Sequence, residues 1–184
     1  MTARTRFEEL ALPHRDAAYN LAYWIVRNPD DAEDVVQDAY LRAFRAFGGF
    51  KGDAMRPWLL AIVRNSAYRV LHDRRRANNV VPFDIDYAAA DGADRDDFPS
   101  PDPSAEAMLI ADGEARRLYA ALAELPLAYP DVIILREMES LSYVEIAEIA
   151  GLALGTVMSR LSRGRALLRE AIERRRAEEE PDAM

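Results

Sequence analysis

One side of the last predicted helix carries small polar and basic side chains of a kind that can contact DNA. At ~100° per residue, Val157 and Leu161 fall on an apolar face, and the polar set falls opposite them near the helix start. Small side chains allow close approach to a groove, and arginine can bind guanine or phosphate. The alternative is an ordinary amphipathic helix with a solvated arginine face. The candidate contacts are Met158, Ser159, Ser162, Arg163 and Arg165, with Arg169 beside them.

A second stripe, on a helix in the first half of the chain, combines an aromatic ring, an amide and basic groups. Aromatic rings stack on bases and arginines hold the backbone, so this combination suits single-stranded or distorted DNA. The alternative is that Trp58 belongs to the core and the basic groups are solvated. The stripe consists of Trp58, Asn65, Arg69, His72 and Arg76.

A third set combines acidic and amide groups with a leucine on one side of the preceding helix. An exposed leucine among polar groups is typical of a protein-docking face. A solvated charged face is the alternative. The set contains Asp34, Gln37, Asp38 and Leu41, with Arg45 beside them.

Catalytic and metal-binding groups are scarce. The chain has no cysteine, and its histidines are His14 and His72. This composition excludes thiolate sites. Two histidines are also too few for a metal site built from histidines alone. No phosphate-cradling glycine loop or nucleophile motif is present. We therefore expect no enzyme activity, no metal and no cofactor, and a helical hydrolase has no support.

Apolar periodicity predicts helices over residues 5–48, followed by a short loop. Pro29 is expected to end one helix, with Asp30 or Asp31 capping the next. That next helix runs from about Ala32 until Gly48-Gly49 interrupts it, and a further helix covers about 57–76. The predicted core stripes are Val36, Ala39, Tyr40, Ala43, Phe44 and Phe47 on the first of these helices, and Leu59, Ile62, Val63, Ser66 and Val70 on the second.

The carboxy-terminal half has the spacing of a helix-turn-helix. A short helix is expected over 131–139, and Ser142 with Glu145 forms a capping-box pattern. Gly151 is placed to end the helix that follows, and the last helix covers about 156–176. A short helix, a tight turn and a longer basic helix are the parts of this DNA-binding motif.

Charge divides the chain into blocks. Residues 84–114 carry ten acidic groups and one basic group, whereas the blocks on either side are mildly basic. Arginine provides 23 of the 24 basic groups, which suits DNA contact but also follows from a GC-rich genome. We predict an all-α protein with two small helical domains, 1–77 and 109–176, a flexible acidic proline-rich linker at 78–108 and an acidic tail at 177–184. With no signal peptide or membrane span predicted, the expected location is the cytoplasm.

Three segments, in this order, resemble the extracytoplasmic-function sigma factors of bacterial RNA polymerase. They are DAEDVVQDAYLRAFRAFGGFKGD, RPWLLAIVRNSAYRVLHDRRR and LREMESLSYVEIAEIAGLALGTVMSRLSRGRALLREAI. The resemblance covers nearly the whole chain. It implies a transcription initiation factor, often linked to stress responses, that binds core polymerase and promoter DNA and is controlled by an anti-sigma factor.

The resemblance also implies residue roles. Asp34, Gln37, Asp38 and Leu41 are expected to bind the clamp helices of the largest polymerase subunit, and the second domain to contact the flap of the second largest. The residues expected to recognise and open the minus-10 element are Arg42, Phe50, Lys51, Trp58, Ile62, Asn65 and Arg69. The helix-turn-helix is expected to bind the minus-35 element through Met158, Ser159, Ser162, Arg163 and Arg165.

Two features leave alternatives open. Position 158 is commonly basic in the family, but here it is Met158, which cannot donate a hydrogen bond. The helix-turn-helix alone also permits a stand-alone regulator, which would bind a palindrome as a dimer. A separate hypothesis is that the acidic linker competes with DNA for the basic faces of the free protein.

Overall fold

The computed structural model of the chain describes residues 2–51, 54–77 and 113–179. Within those ranges the backbone forms eight α-helices and no strand, so the all-α prediction is confirmed. The amino-terminal bundle consists of α1 (Ala3–Ala11), α2 (Arg15–Val26), α3 (Pro29–Ala46) and α4 (Met55–Ala77). The carboxy-terminal bundle consists of α5 (Gly113–Ala123), α6 (Pro130–Ile133), α7 (Tyr143–Ala150) and α8 (Leu154–Glu179).

The core of the amino-terminal bundle lies where α2, α3 and α4 pack against one another. Leu21, Ile25, Val35, Leu59 and Val63 are almost completely buried there. Burying a leucine or isoleucine side chain contributes about 1.5–3 kcal/mol, so these contacts fix the three helices relative to each other. The outer faces of α3 and α4 are thereby held in a defined orientation.

The turn between α2 and α3 differs from the prediction. Arg27 adopts the left-handed conformation, with φ of 53°, and ends α2 by donating its N–H to the Tyr23 carbonyl. Asn28, and not Asp30 or Asp31, caps α3, because its side-chain oxygen accepts a hydrogen bond from the backbone N–H of Asp31 at 3.0 Å. Pro29 therefore begins α3 as its first residue, a position that needs no backbone donor.

A π-helical turn over Ile134–Met138 extends α6. The N–H of Glu139 reaches the Ile134 carbonyl at 3.0 Å, and the next residue, Ser140, adopts a positive φ of 53°. The widened turn places the end of this segment beside the start of α7, because the N–H of Leu141 bonds the Leu135 carbonyl at 3.0 Å.

Both predicted signals at the ends of α7 are confirmed. Ser142 and Glu145 form a reciprocal capping box, and hydrogen bonds from Ser142 lower the pKa of the Glu145 carboxyl. Gly151 ends the helix with φ of 64°, a conformation that costs other residues free energy. The chain turns there and enters α8 at Leu154, which completes the helix-turn-helix.

Two predictions about burial need correction. Phe44 is 43% exposed instead of lying in the core, although its ring still contacts Phe7 edge-on at 5.3 Å. The helix α4 is buried on two sides, since Leu60 and Leu71 are buried in addition to the predicted stripe. The second buried side exists because the carboxy-terminal bundle packs against α4.

The predicted linker at 78–108 and most of the acidic tail lie outside the described residues. The hypothesis that the linker competes with DNA concerns those residues. No helix in the described part of the chain combines the length and the apolar character needed to cross a membrane.

Candidate nucleic-acid and protein interfaces

The predicted docking face lies along the outside of α3. Asp34, Gln37 and Leu41 are exposed on it, and Leu41 is 56% accessible. Spacings of three and four residues place the three side chains on one side of the helix. An accessible leucine flanked by an acid and an amide can bind a partner surface that has an apolar pocket and basic groups.

Asp38, the fourth member of this set, is hydrogen-bonded to neighbouring side chains. Its carboxylate accepts hydrogen bonds from Arg42 Nε at 2.5 Å and from the Ser66 hydroxyl at 3.4 Å. Asp38 is half-buried and ties α3 to α4 through Ser66. Arg42 is likewise half-buried and held by Asp38, so the geometry gives both residues a positioning role in this state.

A shallow cavity of about 330 Å³ adjoins the docking face between α2 and α3. Gln37 belongs to both, and Tyr19 lies on the α2 side, where its ring stacks on Tyr23 at 6.2 Å. The lining residues are Arg15, Asp16, Tyr19, Asn20, Glu33, Val36 and Gln37.

The predicted minus-10 residues lie around the start of α4 and along its outer side. The Phe50 ring stacks on Phe47 at 6.0 Å and contacts the Trp58 ring at 4.9 Å, so the loop before α4 and the helix share an aromatic cluster. Trp58 is half-buried and packs against the core, while part of its side chain stays accessible.

Beyond this aromatic cluster, one side of α4 continues with polar groups. Asn65 and Arg69 are exposed, whereas Ile62 is half-buried between them and Trp58. Lys51 is exposed at the edge of the described loop. The arrangement offers rings for stacking at one end and hydrogen-bonding groups at the other, which is the pattern expected for a strand of unpaired bases.

The predicted reading face of α8 is largely accessible. Met158 is 51% accessible, and Ser162 and Arg163 are exposed beside it. Ser159 is half-buried, and its hydroxyl donates to the Thr156 carbonyl at 3.0 Å, so its hydrogen is committed within the helix. The opposite face is buried at Val157 and Leu161, as predicted.

Arg165 borders this face and is held by groups of the carboxy-terminal bundle. Its Nε and Nη2 atoms donate to Glu137 Oε1 at 2.9 and 2.5 Å. Hydrogen bonds to Glu137 and Tyr143 raise the pKa of the Arg165 guanidinium. A cavity of about 450 Å³ opens beside it, lined by Tyr143, Met158, Ser162, Arg165, Ala166 and Arg169.

The two bundles contact each other through a buried ion pair that was not among the predicted sites. Arg64 Nε of α4 donates to Asp131 Oδ2 of α6 at 2.8 Å, and the Tyr68 hydroxyl donates to the same oxygen at 3.0 Å. Asp131 is fully buried and Arg64 is 5% exposed. Burial lowers the pKa of Arg64, but the Asp131 carboxylate and the hydrogen bonds to Asp131 and Tyr68 raise it on balance.

Two further arginines of the amino-terminal bundle reach the carboxy-terminal bundle. Arg27 donates from Nη1 to the Ala123 carbonyl at 2.6 Å and from Nη2 to the Leu125 carbonyl. Burial lowers the pKa of this guanidinium. Arg56 pairs with Glu139, which is buried at the end of the π-helical turn. We refer to Arg27, Arg56 and Arg64 with their partners as the interdomain contact.

A signal for this contact is present in the sequence. Leu60, Arg64, Ala67 and Leu71 recur at three- and four-residue spacings on α4, on a side separate from the predicted core stripe. An arginine within such a stripe can mark a buried ion pair. Its partner could not be identified from α4, because Asp131 lies 67 residues away in the chain.

Within the described ranges no group of three or more histidine, cysteine, aspartate or glutamate side chains is arranged to hold a metal ion.

Comparison with known proteins assigns both bundles. The family description Sigma-70 region 2 matches residues 10–77, and Sigma-70, region 4 matches residues 115–168. The chain is 32% identical over 177 residues to the ECF RNA polymerase sigma factor SigE of Mycolicibacterium smegmatis, covering 96% of the chain and 65% of that protein. It is 33% identical over 171 residues to the RNA polymerase sigma-H factor of Pseudomonas aeruginosa, covering 91% of the chain and 86% of that protein.

A solved structure supports the same assignment. The sigma factor RpoE of Bartonella quintana, in complex with the anti-sigma factor NepR, superposes with a TM-score of 0.68 and 28% identity. The similarity covers 91% of this chain and 97% of that one. CnrH, solved with the cytosolic domain of CnrY, shares the fold with a TM-score of 0.63 at 24% identity.

Proposed function

Because the chain belongs to the extracytoplasmic-function sigma factors of bacterial RNA polymerase, we propose that it binds core polymerase and directs initiation at specific promoters, and that it is not an enzyme. The observation that carries the proposal is the presence of three separate accessible faces on one chain. They lie on α3, α4 and α8 and have the chemistry of protein docking, unpaired-strand binding and duplex reading. A stand-alone regulator needs the third face alone.

The outer face of α3 is the proposed polymerase contact. Asp34, Gln37 and Leu41 dock on the clamp helices of the largest subunit, while Asp38 keeps α3 in register with α4. The carboxy-terminal bundle contacts the flap of the second largest subunit. Most of the binding free energy of such an interface comes from a few buried side chains, and Leu41 is the apolar candidate among the four residues.

The start of α4 is the proposed minus-10 site. Extracting a base from the stack costs a few kcal/mol, and stacking on an aromatic ring contributes about 1–3 kcal/mol per base. The Phe50–Trp58 cluster can supply that stacking, while Asn65 offers an amide to a base edge. Arg69 and Lys51 are accessible for backbone phosphates, and Arg42 and Ile62 support the pocket.

The amino-terminal part of α8 is the proposed minus-35 reader. Ser162 and Arg163 are accessible for base edges and phosphates, and Arg165 is oriented by Glu137. Met158 can pack against a thymine methyl group or a sugar, whereas a basic residue there would add a phosphate contact. This predicts a base preference at one position that differs from relatives with a basic residue.

Regulation, location and organisation follow the family. We propose a cytoplasmic protein held inactive by an anti-sigma factor, with functional domains at 1–77 and 109–176 and the acidic linker between them. Support for the inhibitor comes from the similar sigma factor of Bartonella quintana, which was solved bound to one.

Reconstituted transcription tests the function directly. Core polymerase from the organism of origin is mixed with the purified chain and a template carrying the promoter region upstream of its own operon. The expected result is a run-off transcript that requires the chain. A double variant, Asn65→Ala with Arg69→Ala, should bind core polymerase normally but lose the transcript. Absence of initiation on every such template would refute the proposed function.

Polymerase docking is tested separately with Leu41→Ala. The exposed part of Leu41 would be buried in the complex, and its removal costs about 1–1.5 kcal/mol of binding free energy, or roughly 5- to 13-fold in affinity for core polymerase. Leu12→Ala is the matched control, because Leu12 is 55% exposed and lies in the turn after α1. Competition with a labelled sigma factor measures both variants. Equal affinities for the two would contradict the assignment of the α3 face.

A further inference from the structure

The interdomain contact has the chemistry of a reversible association. It uses guanidinium groups on one side and carboxylates and carbonyl oxygens on the other. Separation of the two bundles lets water hydrate both sides together. Loss of one partner alone, in contrast, leaves a buried charge without compensation.

The contact is also incompletely satisfied. Arg27 Nε and Arg64 Nη2 are buried without a hydrogen-bond partner. A buried donor without an acceptor costs free energy relative to its hydrated state. Each of these two groups gains a water partner when the bundles separate, which lowers the cost of opening.

We call the arrangement in which the two bundles are in contact the closed arrangement. In it the chain cannot bind both promoter elements at once. This argument rests on the proposed function, in which α4 acts at minus 10 and α8 at minus 35. Elements about 25 base pairs apart are separated by roughly 85 Å along B-DNA at 3.4 Å per pair. A compact chain of this length has a diameter of only about 40 Å, and here α4 packs directly against α7 of the helix-turn-helix.

The reading faces themselves stay accessible while the bundles are in contact. Asn65 and Arg69 on α4 are exposed, and so are Met158 and Ser162 on α8. The closed state therefore blocks simultaneous engagement by its dimensions and not by covering either face.

We propose that the closed arrangement is an autoinhibited state of the free protein, and that the Arg64–Asp131 pair with Tyr68 is the latch that must break before both promoter elements are bound. Arg27 reinforces the latch from α2 through the Ala123 and Leu125 carbonyls. Binding to polymerase and promoter then selects the open state, in which the bundles are apart. The strength of the latch sets the protein concentration needed for initiation.

Energy transfer between the bundles reports the latch. The chain has no cysteine, so Glu9→Cys on α1 and Glu173→Cys on α8, both at exposed positions, allow specific labelling of the full chain. Asp131 Oδ1 accepts a hydrogen bond from the Val132 N–H at 2.8 Å. Asp131→Asn keeps an oxygen for this bond and removes the charge that faces Arg64. This substitution should lower the ratio of closed to open protein on the order of 100-fold. Energy transfer between the labels should fall accordingly.

Arg27→Asn provides an independent variant from the other bundle. Asparagine tolerates the left-handed backbone at this position but cannot reach both carbonyls, so energy transfer should also fall. Glu124→Gln is the matched control, because Glu124 pairs with Arg174 and Arg175 inside the carboxy-terminal bundle. Its energy transfer should equal that of the wild type. Circular dichroism shows whether each variant keeps its helices. If Asp131→Asn does not fold, the result with Arg27→Asn tests the latch.

Transcription distinguishes the latch from the proposed function. In the run-off assay, Asp131→Asn and Arg27→Asn should reach half-maximal transcript at a roughly tenfold lower protein concentration than the wild type. Unchanged energy transfer, or unchanged concentration dependence, in folded variants would overturn the latch while wild-type initiation still supports the function. Absence of wild-type initiation, with energy transfer lost in the variants, would instead overturn the function.

Discussion

Replacing Gly164 by alanine tests how tightly α8 is seated on the segment that contains α6. A Cβ atom at Gly164 would lie 2.9 Å from Ile133 Cδ1 and 3.2 Å from Tyr129 Cβ. Favourable carbon contacts lie at about 3.5–4.0 Å, so both neighbours must move. Ile133 Cδ1 is the end of a flexible side chain, but it lies in the core, and Tyr129 Cβ moves only with the backbone.

Two opposing effects set the magnitude. Alanine in a helix interior is favoured over glycine by about 1 kcal/mol, whereas overpacking a core costs about 1–3 kcal/mol. With a contact at 2.9 Å the second effect is larger, and we expect Gly164→Ala to reduce the free energy of unfolding by about 1 kcal/mol. Ile133→Val removes Cδ1 and alone costs about 1 kcal/mol. The double variant should lose about 1 kcal/mol, because the valine leaves room for the new methyl group.

The assay is chemical denaturation of the four proteins, followed by circular dichroism. The predicted coupling in the double-mutant cycle is about 1 kcal/mol in favour of the double variant. Gly155→Ala is the control on the same helix, since nothing lies within 4 Å of its Cβ position, and it should stabilise by about 0.4–1 kcal/mol. Additive effects within about 0.3–0.5 kcal/mol would refute the close packing of Gly164 on Ile133.

Three further predictions concern the elements that position the accessible faces. Gly151→Ala should destabilise the helix-turn-helix by about 1–2 kcal/mol because its φ is 64°, whereas Gly151→Asn should lose clearly less in the same thermal unfolding experiment. Asn28→Ala should cost about 1 kcal/mol of stability through loss of the cap on α3, which chemical denaturation would detect. Arg163→Ala should reduce the salt dependence of promoter binding by about one unit of slope in a titration from low to high salt; an unchanged slope would remove Arg163 from the phosphate contacts.

Local signals in the sequence predicted most of the helices and the accessible faces. The capping box of Ser142 with Glu145 and the glycine at position 151 define the turn through contacts among a few neighbouring residues. The period of α8 placed Val157 inside and Met158 outside, because a helix with one buried side has a single repeating pattern. The resemblance to sigma factors added roles that periodicity could not supply.

Features that depend on distant residues were not predicted. Helical periodicity places Phe44 on the core side of α3, but the residue lies in the last turn of the helix and remains 43% exposed. Asp38 was predicted as a surface acid, but its hydrogen bonds with Arg42 and Ser66 were not predicted. Arg64 fell outside both predicted stripes of α4, because its environment is created by a bundle that lies far along the chain.

The helix α4 carries three tasks on three sides, and this arrangement links them. Leu59 and Val63 hold the amino-terminal bundle together, Arg64 and Tyr68 contact the other bundle, and Asn65 is exposed on the face proposed to bind DNA. Adjacent residues on a helix point about 100° apart, so Arg64 and Asn65 belong to different sides although they are neighbours in the chain. A movement of α4 that breaks the interdomain contact therefore also displaces the surface proposed to meet the promoter strand. The proposed domain separation and the proposed promoter binding would therefore be coupled through one helix, and separation would also uncover Leu60 and Leu71.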